Sequence, residues 1–205
     1  MRNDARCRRR FLGIVASVPV AVLGAHLLPL AEAQQCFPTS SDIEGPYYLP
    51  NAPRRIELAG PQELGQPLII RGTVFGGDCK SAISGVLLDI WQADANGHYH
   101  NENENYRLRG QVLTDKNGRY EFASILPGRY KQGGGFRPAH IHFVVAHADF
   151  KELTTQLYFK GDPYLSPNDA CHEDCKSNDP NRIIELKARE AWLEGQFDII
   201  LRLGK

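Results

Sequence analysis

Arg137-Pro138-Ala139-His140-Ile141-His142-Phe143 is the densest run of chemistry-bearing residues in this 205-residue chain. On a β-strand, residues two apart share a face, so both imidazoles can converge on one metal while Ile141 and Phe143 turn to the core. A His-x-His pair alone is also compatible with exposed strand histidines that bind nothing. Tyrosines sharpen the choice. Tyr99 follows Asp94-Ala95-Asn96-Gly97-His98, and Tyr130 follows Leu126-Pro127-Gly128-Arg129. Phenolates are hard oxygen donors, suited to a hard trivalent cation rather than to zinc or copper(I). Taken singly, each tyrosine also reads as a half-buried core residue with a satisfied hydroxyl.

The elements that must position these groups are short. Leu68–Val74, Val86–Trp91, Gly110–Thr114, Arg119–Phe122, His140–Val145 and Leu153–Phe159 have strand length and β-branched or aromatic content. Asp115-Lys116-Asn117-Gly118 joins two of them as a hairpin turn. Many short strands at this spacing predict an all-β fold, a β-sandwich with irregular loops and few or no helices. Residues 182–193 are ambiguous, their Glu-Leu-Lys-Ala-Arg-Glu-Ala composition favouring helix, and Phe197–Leu203 reads as a closing strand.

The first 33 residues read as an address. Arg8-Arg9-Arg10-Phe11-Leu12 precedes a soft apolar run that ends at Ala31-Glu32-Ala33, the small-x-small pattern of a cleavage site. Two arginines, one arbitrary residue and Phe-Leu resemble the twin-arginine export signal, which predicts an exported protein, periplasmic or extracellular. Pro19, Gly24, His26 and Pro29 make the run a poor membrane span, so no stable membrane insertion is expected after cleavage. The expected mature domain is 34–205. The whole chain balances 24 basic against 24 acidic groups, and the mature part keeps 19 and 22, which argues against nucleic acid as a partner. Cys36, Cys79, Cys171 and Cys175 suggest two disulfides in an oxidising compartment, with three possible connectivities. Cys171 and Cys175 are close enough in sequence to bridge locally, which would leave Cys36 for Cys79. The rival reading, a soft-metal site, lacks any CxxC spacing.

Six landmarks then occur in order. They are Glu44-Gly45-Pro46-Tyr47-Tyr48, Ile70-Arg71-Gly72-Thr73-Val74, Leu88 to Tyr99, Pro127-Gly128-Arg129-Tyr130, Arg137 to Phe143, and Leu153 to Phe159. On these the chain resembles the intradiol ring-cleavage dioxygenases, the family of catechol, hydroxyquinol and protocatechuate dioxygenases. The resemblance implies a non-haem iron(III) held by Tyr99, Tyr130, His140 and His142. It implies that Arg137 sits against bound substrate, that Gln156 lies close to the reacting ring, and that Gly45, Pro46 and Tyr47 line the pocket. Tyr130 would be the ligand that leaves when a catechol binds, taking part in its deprotonation. Arg137, Tyr130 and Gln156 are thus the catalytic candidates. The partners implied are a catechol and O₂, and the product a cis,cis-muconate-type diacid. The glycine-rich loop at 133–135 offers no cationic anchor beyond Arg137, with Lys131 the one cation near enough to reach, so a simple or alkyl-substituted catechol is expected rather than protocatechuate.

Two other classes fit parts of the pattern. One is an exported aromatic- or carbohydrate-binding β-sandwich module without catalysis. The other is a zinc or copper protein using the same histidines. The particular catechol and the oligomeric state are open. If the twin-arginine reading is right, replacing Arg8 and Arg9 by lysine leaves precursor in the cytoplasm, which cell fractionation checks.

Overall fold

The computed structural model describes residues 36–101 and 105–204. The signal-sequence reading of residues 1–33 lies outside them. The described chain carries twelve strands in order: β1 (Pro67–Phe75), β2 (Leu87–Gln92), β3 (Arg109–Leu113), β4 (Arg119–Ile125), β5 (Lys131–Gln132), β6 (Gly135–Phe136), β7 (His140–Ala146), β8 (Leu153–Phe159), β9 (Ile183–Ile184), β10 (Lys187–Ala188), β11 (Leu193–Gln196) and β12 (Ile199–Ile200). Among the described residues the only helical turns are two 3₁₀ turns, His172–Asp174 and Pro180–Arg182. The all-β expectation holds.

Two five-stranded sheets face each other. In the first, β1 pairs antiparallel with β4 along one edge, and along the other runs parallel to β11 and then β12; β10 pairs with β11. The second has the order β3-β2-β7-β8-β9, antiparallel except for the β8–β9 pair. β5 and β6 form a separate hairpin out of the glycine-rich segment. Alternation fills the space between the sheets. Leu68, Ile70 and Val74 of β1 meet Leu88, Ile90, Ile141, Phe143, Val145 and Leu157 of the second sheet. Phe122, Phe143 and Phe197 form an aromatic chain through the middle, with ring centroids 5.6–6.0 Å apart.

Residues 182–193 do not form an α-helix. Ile183 and Ile184 extend the second sheet beside Tyr158 and Phe159, while Lys187 and Ala188 pair with Glu194 and Leu193 of the first. Burial of Ile184 against the core outweighs the modest local helix preference. The closing strand is shorter than expected: regular pairing is confined to Ile199–Ile200, with Phe197 buried just ahead of it. Disulfides join Cys36 to Cys79 and Cys171 to Cys175.

Phe143 is fully buried and touches both sheets. Phe143→Ala is expected to destabilise the domain by about 3–5 kcal/mol, read as a lowered denaturation midpoint with unchanged slope.

Candidate metal centre

The second sheet has two unlike faces. Its apolar face is the core just described. On the other, strand register lines up Arg109 of β3, Trp91 of β2, His142 of β7 and Gln156 of β8 in one row, with His140 and Tyr158 paired in the next. Directly opposed residues of antiparallel strands project to the same side, so this row is a polar, aromatic face. The segment from Thr39 to Leu58 closes it over. Asp42 N donates to Thr154 O (3.0 Å), Gln156 Nε2 to Ile43 O (2.8 Å) and Arg55 Nε to Arg109 O (2.8 Å).

His140 and His142 are therefore buried, 2% and 3% exposed, and the reading as exposed strand histidines fails. Their Nε2 atoms lie 3.1 Å apart, and each lies 3.1 Å from Tyr99 Oη. His140 Nδ1 is 2.6 Å from Pro138 O, a carbonyl that can only accept, so the ring proton sits on Nδ1 and the Nε2 lone pair faces the triangle. Burial pushes the His140 pKa down to about 3 and that of His142 well below its usual value, so both rings are neutral. Two protons, one phenolic and one on His142, then remain for three edges. A cation bound by the three atoms satisfies all of them at once, and the 3.1 Å edge is close to that of neighbouring ligands about 2.1 Å from a small ion.

Tyr99 reaches the triangle because two loops touch. Gly97, in the left-handed region at φ +83°, leaves no room for a side chain: a Cβ there would lie 2.2 Å from Arg129 O. Gly128 faces it, where a Cβ would lie 2.4 Å from Ala95 O. The absence of these two side chains lets the Tyr99 loop lie against the turn that carries Tyr130. Burial raises the Tyr99 pKa, while the Arg137 and Arg109 charges pull it back. The phenol therefore stays protonated until a cation displaces the proton.

Tyr130 is beside the triangle, not on it. Its ring is edge-on to Tyr99 (centroids 5.6 Å apart) and tilted to His140 (5.8 Å), but its hydroxyl donates to Gln132 Oε1 at 2.9 Å. Three of the four expected donors are thus gathered, with the fourth turned to the β5–β6 hairpin. Among the described residues no three His, Cys, Asp or Glu side chains could hold a metal together, so tyrosine oxygen has to complete the set. Two neutral imidazoles and phenol oxygens suit a hard trivalent ion such as iron(III).

The remaining candidates divide. Gly45 lies against the His142 ring, next to Pro46, and Tyr47 stacks on Tyr99 with ring centroids 4.3 Å apart and planes 7° from parallel. Tyr47, Tyr99, Arg129, Tyr130, Lys131 and Phe136 are among the walls of an open cavity of about 490 Å³, the size of a small-molecule site. Arg137 and Gln156 are not among its walls. Both are fully buried. Gln156 Oε1 accepts from Arg137 Nη2 (2.9 Å) and lies 2.8 Å from Tyr158 Oη, so this glutamine is held by its neighbours and holds Arg137.

Sequence reasoning gave no role to Trp91, whose indole stacks on His142 (4.6 Å, 10°), or to Arg109, Asp42 and Asp169. Trp91 and Arg109 are placed by cross-strand register, which no local spacing reveals. Asp89 shares their face, accepting from Gln111 (3.0 Å) and from Tyr48 (3.2 Å). Burial and Asp89 push the Tyr48 hydroxyl up to about 12, so it remains a donor.

A family model described as Dioxygenase matches residues 43–203. The chain belongs to the intradiol dioxygenase family. It is 37% identical over 147 residues to catechol 1,2-dioxygenase 2 of Acinetobacter lwoffii, covering 62% of this chain and 53% of that protein. A solved dioxygenase domain, from a dioxygenase and carbohydrate-binding protein fusion of Streptomyces sp. SirexAA-E, superposes with a TM-score of 0.70 at 35% identity. That match covers 82% of this chain and all of the domain. The 3-chlorocatechol 1,2-dioxygenase of Rhodococcus opacus 1CP gives 0.73 at 30% identity, over 82% of this chain and 74% of that one. The chain spans about half the length of the first curated relatives it matches.

Gly97→Ala tests how this family member gathers its donors. It is expected to keep the β-sandwich, read by circular dichroism, while binding markedly less iron(III) per chain after reconstitution, because the two tyrosine-bearing loops must separate.

Proposed function

We propose that this protein is an exported non-haem iron(III) intradiol dioxygenase. It would cleave a catechol between its two hydroxyl-bearing carbons and incorporate both atoms of O₂ to give a cis,cis-muconate-type diacid. The observation that carries the reading is the buried triangle of Tyr99 Oη, His140 Nε2 and His142 Nε2 with one proton too few for its own hydrogen bonds. Tyr99, Tyr130, His140 and His142 would hold the iron. When bound, iron(III) supplies a Lewis acid that acidifies phenols and draws electron density from a bound catecholate.

The chain's own groups do the rest. His140 and His142 contribute neutral donors, their orientation set by Pro138 O and by the Trp91 stack. Tyr99 is the permanent phenolate, its ring held under Tyr47. Tyr130 is the exchangeable one: its oxygen can take a catechol proton and then rest where it lies now, on Gln132. The Arg137 guanidinium fixes positive charge behind the site, opposing burial at both Tyr99 and Tyr130, and would stabilise negative charge that develops on the ring. Tyr47 and Phe136 give the cavity flat apolar walls for an aromatic ring, and Lys131 brings a cation to them. A binding module without metal is not favoured, because it has no use for three inward-facing donors at this spacing.

Export through the twin-arginine route rests on Arg8-Arg9 and the Ala-x-Ala end of the apolar run, and the two disulfides agree with an oxidising destination. The mature domain would be 34–205.

The test is colour and turnover together. Iron-loaded protein is expected to be red-brown from phenolate-to-iron charge transfer, and catechol added without oxygen should shift the band. Tyr99→Phe should lose iron, whereas Tyr130→Phe should retain it and lose about 10²–10⁴-fold in turnover, the range for a proton-transfer group. Colourless wild-type protein that takes up no iron would refute the proposal.

A further inference from the structure

Arg137 is fully buried, and an equally buried carboxylate meets its charge. Nε lies 2.8 Å from Asp169 Oδ1, although the N–H points off that oxygen, and both side chains are 1% exposed. Nη2 donates to Gln156 Oε1 (2.9 Å) and Tyr158 Oη (3.0 Å). Asp169 is the carboxylate of this group that pairs directly with Arg137, since Asp42 pairs with Arg182. It sits in an irregular loop. Cys171 N donates to Asp169 Oδ1 (2.9 Å), His172 N to Asp169 O (2.9 Å) and Ala170 N to Phe136 O (3.1 Å). Two residues past Asp169, Cys171 is tied to Cys175, and both sulfur-bearing side chains are buried. A charge removed from water needs a fixed counter-charge, and removing one partner of such a pair leaves the other uncompensated.

We infer that Asp169 is a positioning residue for Arg137, and that the Cys171–Cys175 bridge is the clamp that holds Asp169 in place. The bridge closes a short loop whose one ordered turn is His172–Asp174, so it restricts the backbone that presents both the carboxylate and the Cys171 N–H. Asp169 touches none of the three triangle atoms. Its loss should therefore leave iron uptake intact and act on the step that uses the arginine charge. The inference rests on the ring-cleavage reading for its kinetic part only.

The iron-loaded mature protein is compared with Asp169→Asn, Asp169→Glu, Arg137→Gln, the Asp169→Asn/Arg137→Gln double variant and Cys171→Ser/Cys175→Ser. Asp169→Asn should keep its iron and resting visible band. It should lose about 10–100-fold in kcat for catechol, the usual effect of removing an outer-shell partner, with a smaller change in KM. Asp169→Glu should recover part of that loss because it keeps the charge, and the cysteine variant should lose less in the same direction. In the double variant the two losses should not multiply. Asp169→Asn kinetics within about twofold of wild type, or multiplying losses, would overturn the inference. So would an Asp169→Glu protein with full iron that is as slow as Asp169→Asn. A second arm needs no turnover. In protein loaded with gallium(III), a diamagnetic trivalent ion, the Arg137 Nε–H should give a slowly exchanging NMR signal. That signal should move in chemical shift in Asp169→Asn, because the neighbouring carboxylate charge is gone, and exchange faster in the cysteine variant. An unchanged signal in Asp169→Asn overturns the inference. Wild-type protein that cleaves no catechol counts against the ring-cleavage reading, and the NMR arm then decides the role of Asp169.

Discussion

Burial of Ile141 and Phe143 between the two sheets is the constraint on which the rest depends. Strand β7 has a period of two, so sinking these side chains into the core turns His140 and His142 to the opposite face. A slip of one residue would exchange the faces, placing imidazoles among Leu88, Phe122 and Leu157 and leaving Ile141, Phe143 and Val145 on the polar face. Each large apolar side chain contributes about 1.5–3 kcal/mol by burial, so the core holds the register far more firmly than the site could by itself. The geometry of the donor triangle follows from packing on the other side of the same strand.

The polar face carries an electrostatic burden. Arg109, Arg137 and Arg182 are all within 1% of complete burial. Arg182 is paired with Asp42 and Arg137 with Asp169, while Arg109 bonds through Nη2 to Asn101 and finds no hydrogen-bond partner for Nε and Nη1 among the described residues. Buried ion pairs seldom stabilise a fold more than apolar residues of the same volume. The site gives a reason for them. Arg137 and Arg109 both lower the pKa of the buried Tyr99 phenol against the effect of desolvation. Fixed cations beside the site thus favour phenolate at Tyr99.

Closure of that face is the work of the chain's early segment. Residues 39–58 add a backbone hydrogen bond beside β8, bind Gln156 through the Ile43 carbonyl, and lay Tyr47 on Tyr99 and Tyr48 on Trp91. Asp42, from the same segment, accepts from Tyr158 (2.9 Å) and pairs with Arg182. A face that would otherwise be wet becomes a buried layer beside the tyrosine-lined cavity. Excluding water there strengthens each charge interaction by lowering the local dielectric constant.

Much of this was legible before any coordinates. Strand β8 occurs where its residues predict it, and β1 to β4 and β7 lie within a few residues of expectation, because period-two burial is written in the order of side chains; the short β5–β6 hairpin in the glycine-rich segment was not foreseen. The His-x-His pair declared its shared face for the same reason, and glycine-punctuated loops marked both tyrosines. Local order alone could not separate buried histidines from exposed ones, since that depends on whether another segment covers the sheet, and residues 39–58 do. Nor could it place Trp91 on His142, turn the Tyr130 hydroxyl to Gln132, or keep Arg182–Leu193 from being a helix. Asp169 carries no local mark at all: 32 residues separate it from Arg137, and only the folded loop brings the two charges within 2.8 Å. What the sequence determined by itself is what periodicity and backbone chemistry encode within a strand or a turn. Register between strands, covering segments and the partners of buried charges were decided by the tertiary structure, because each depends on desolvation that no residue undergoes until distant parts of the chain close around it.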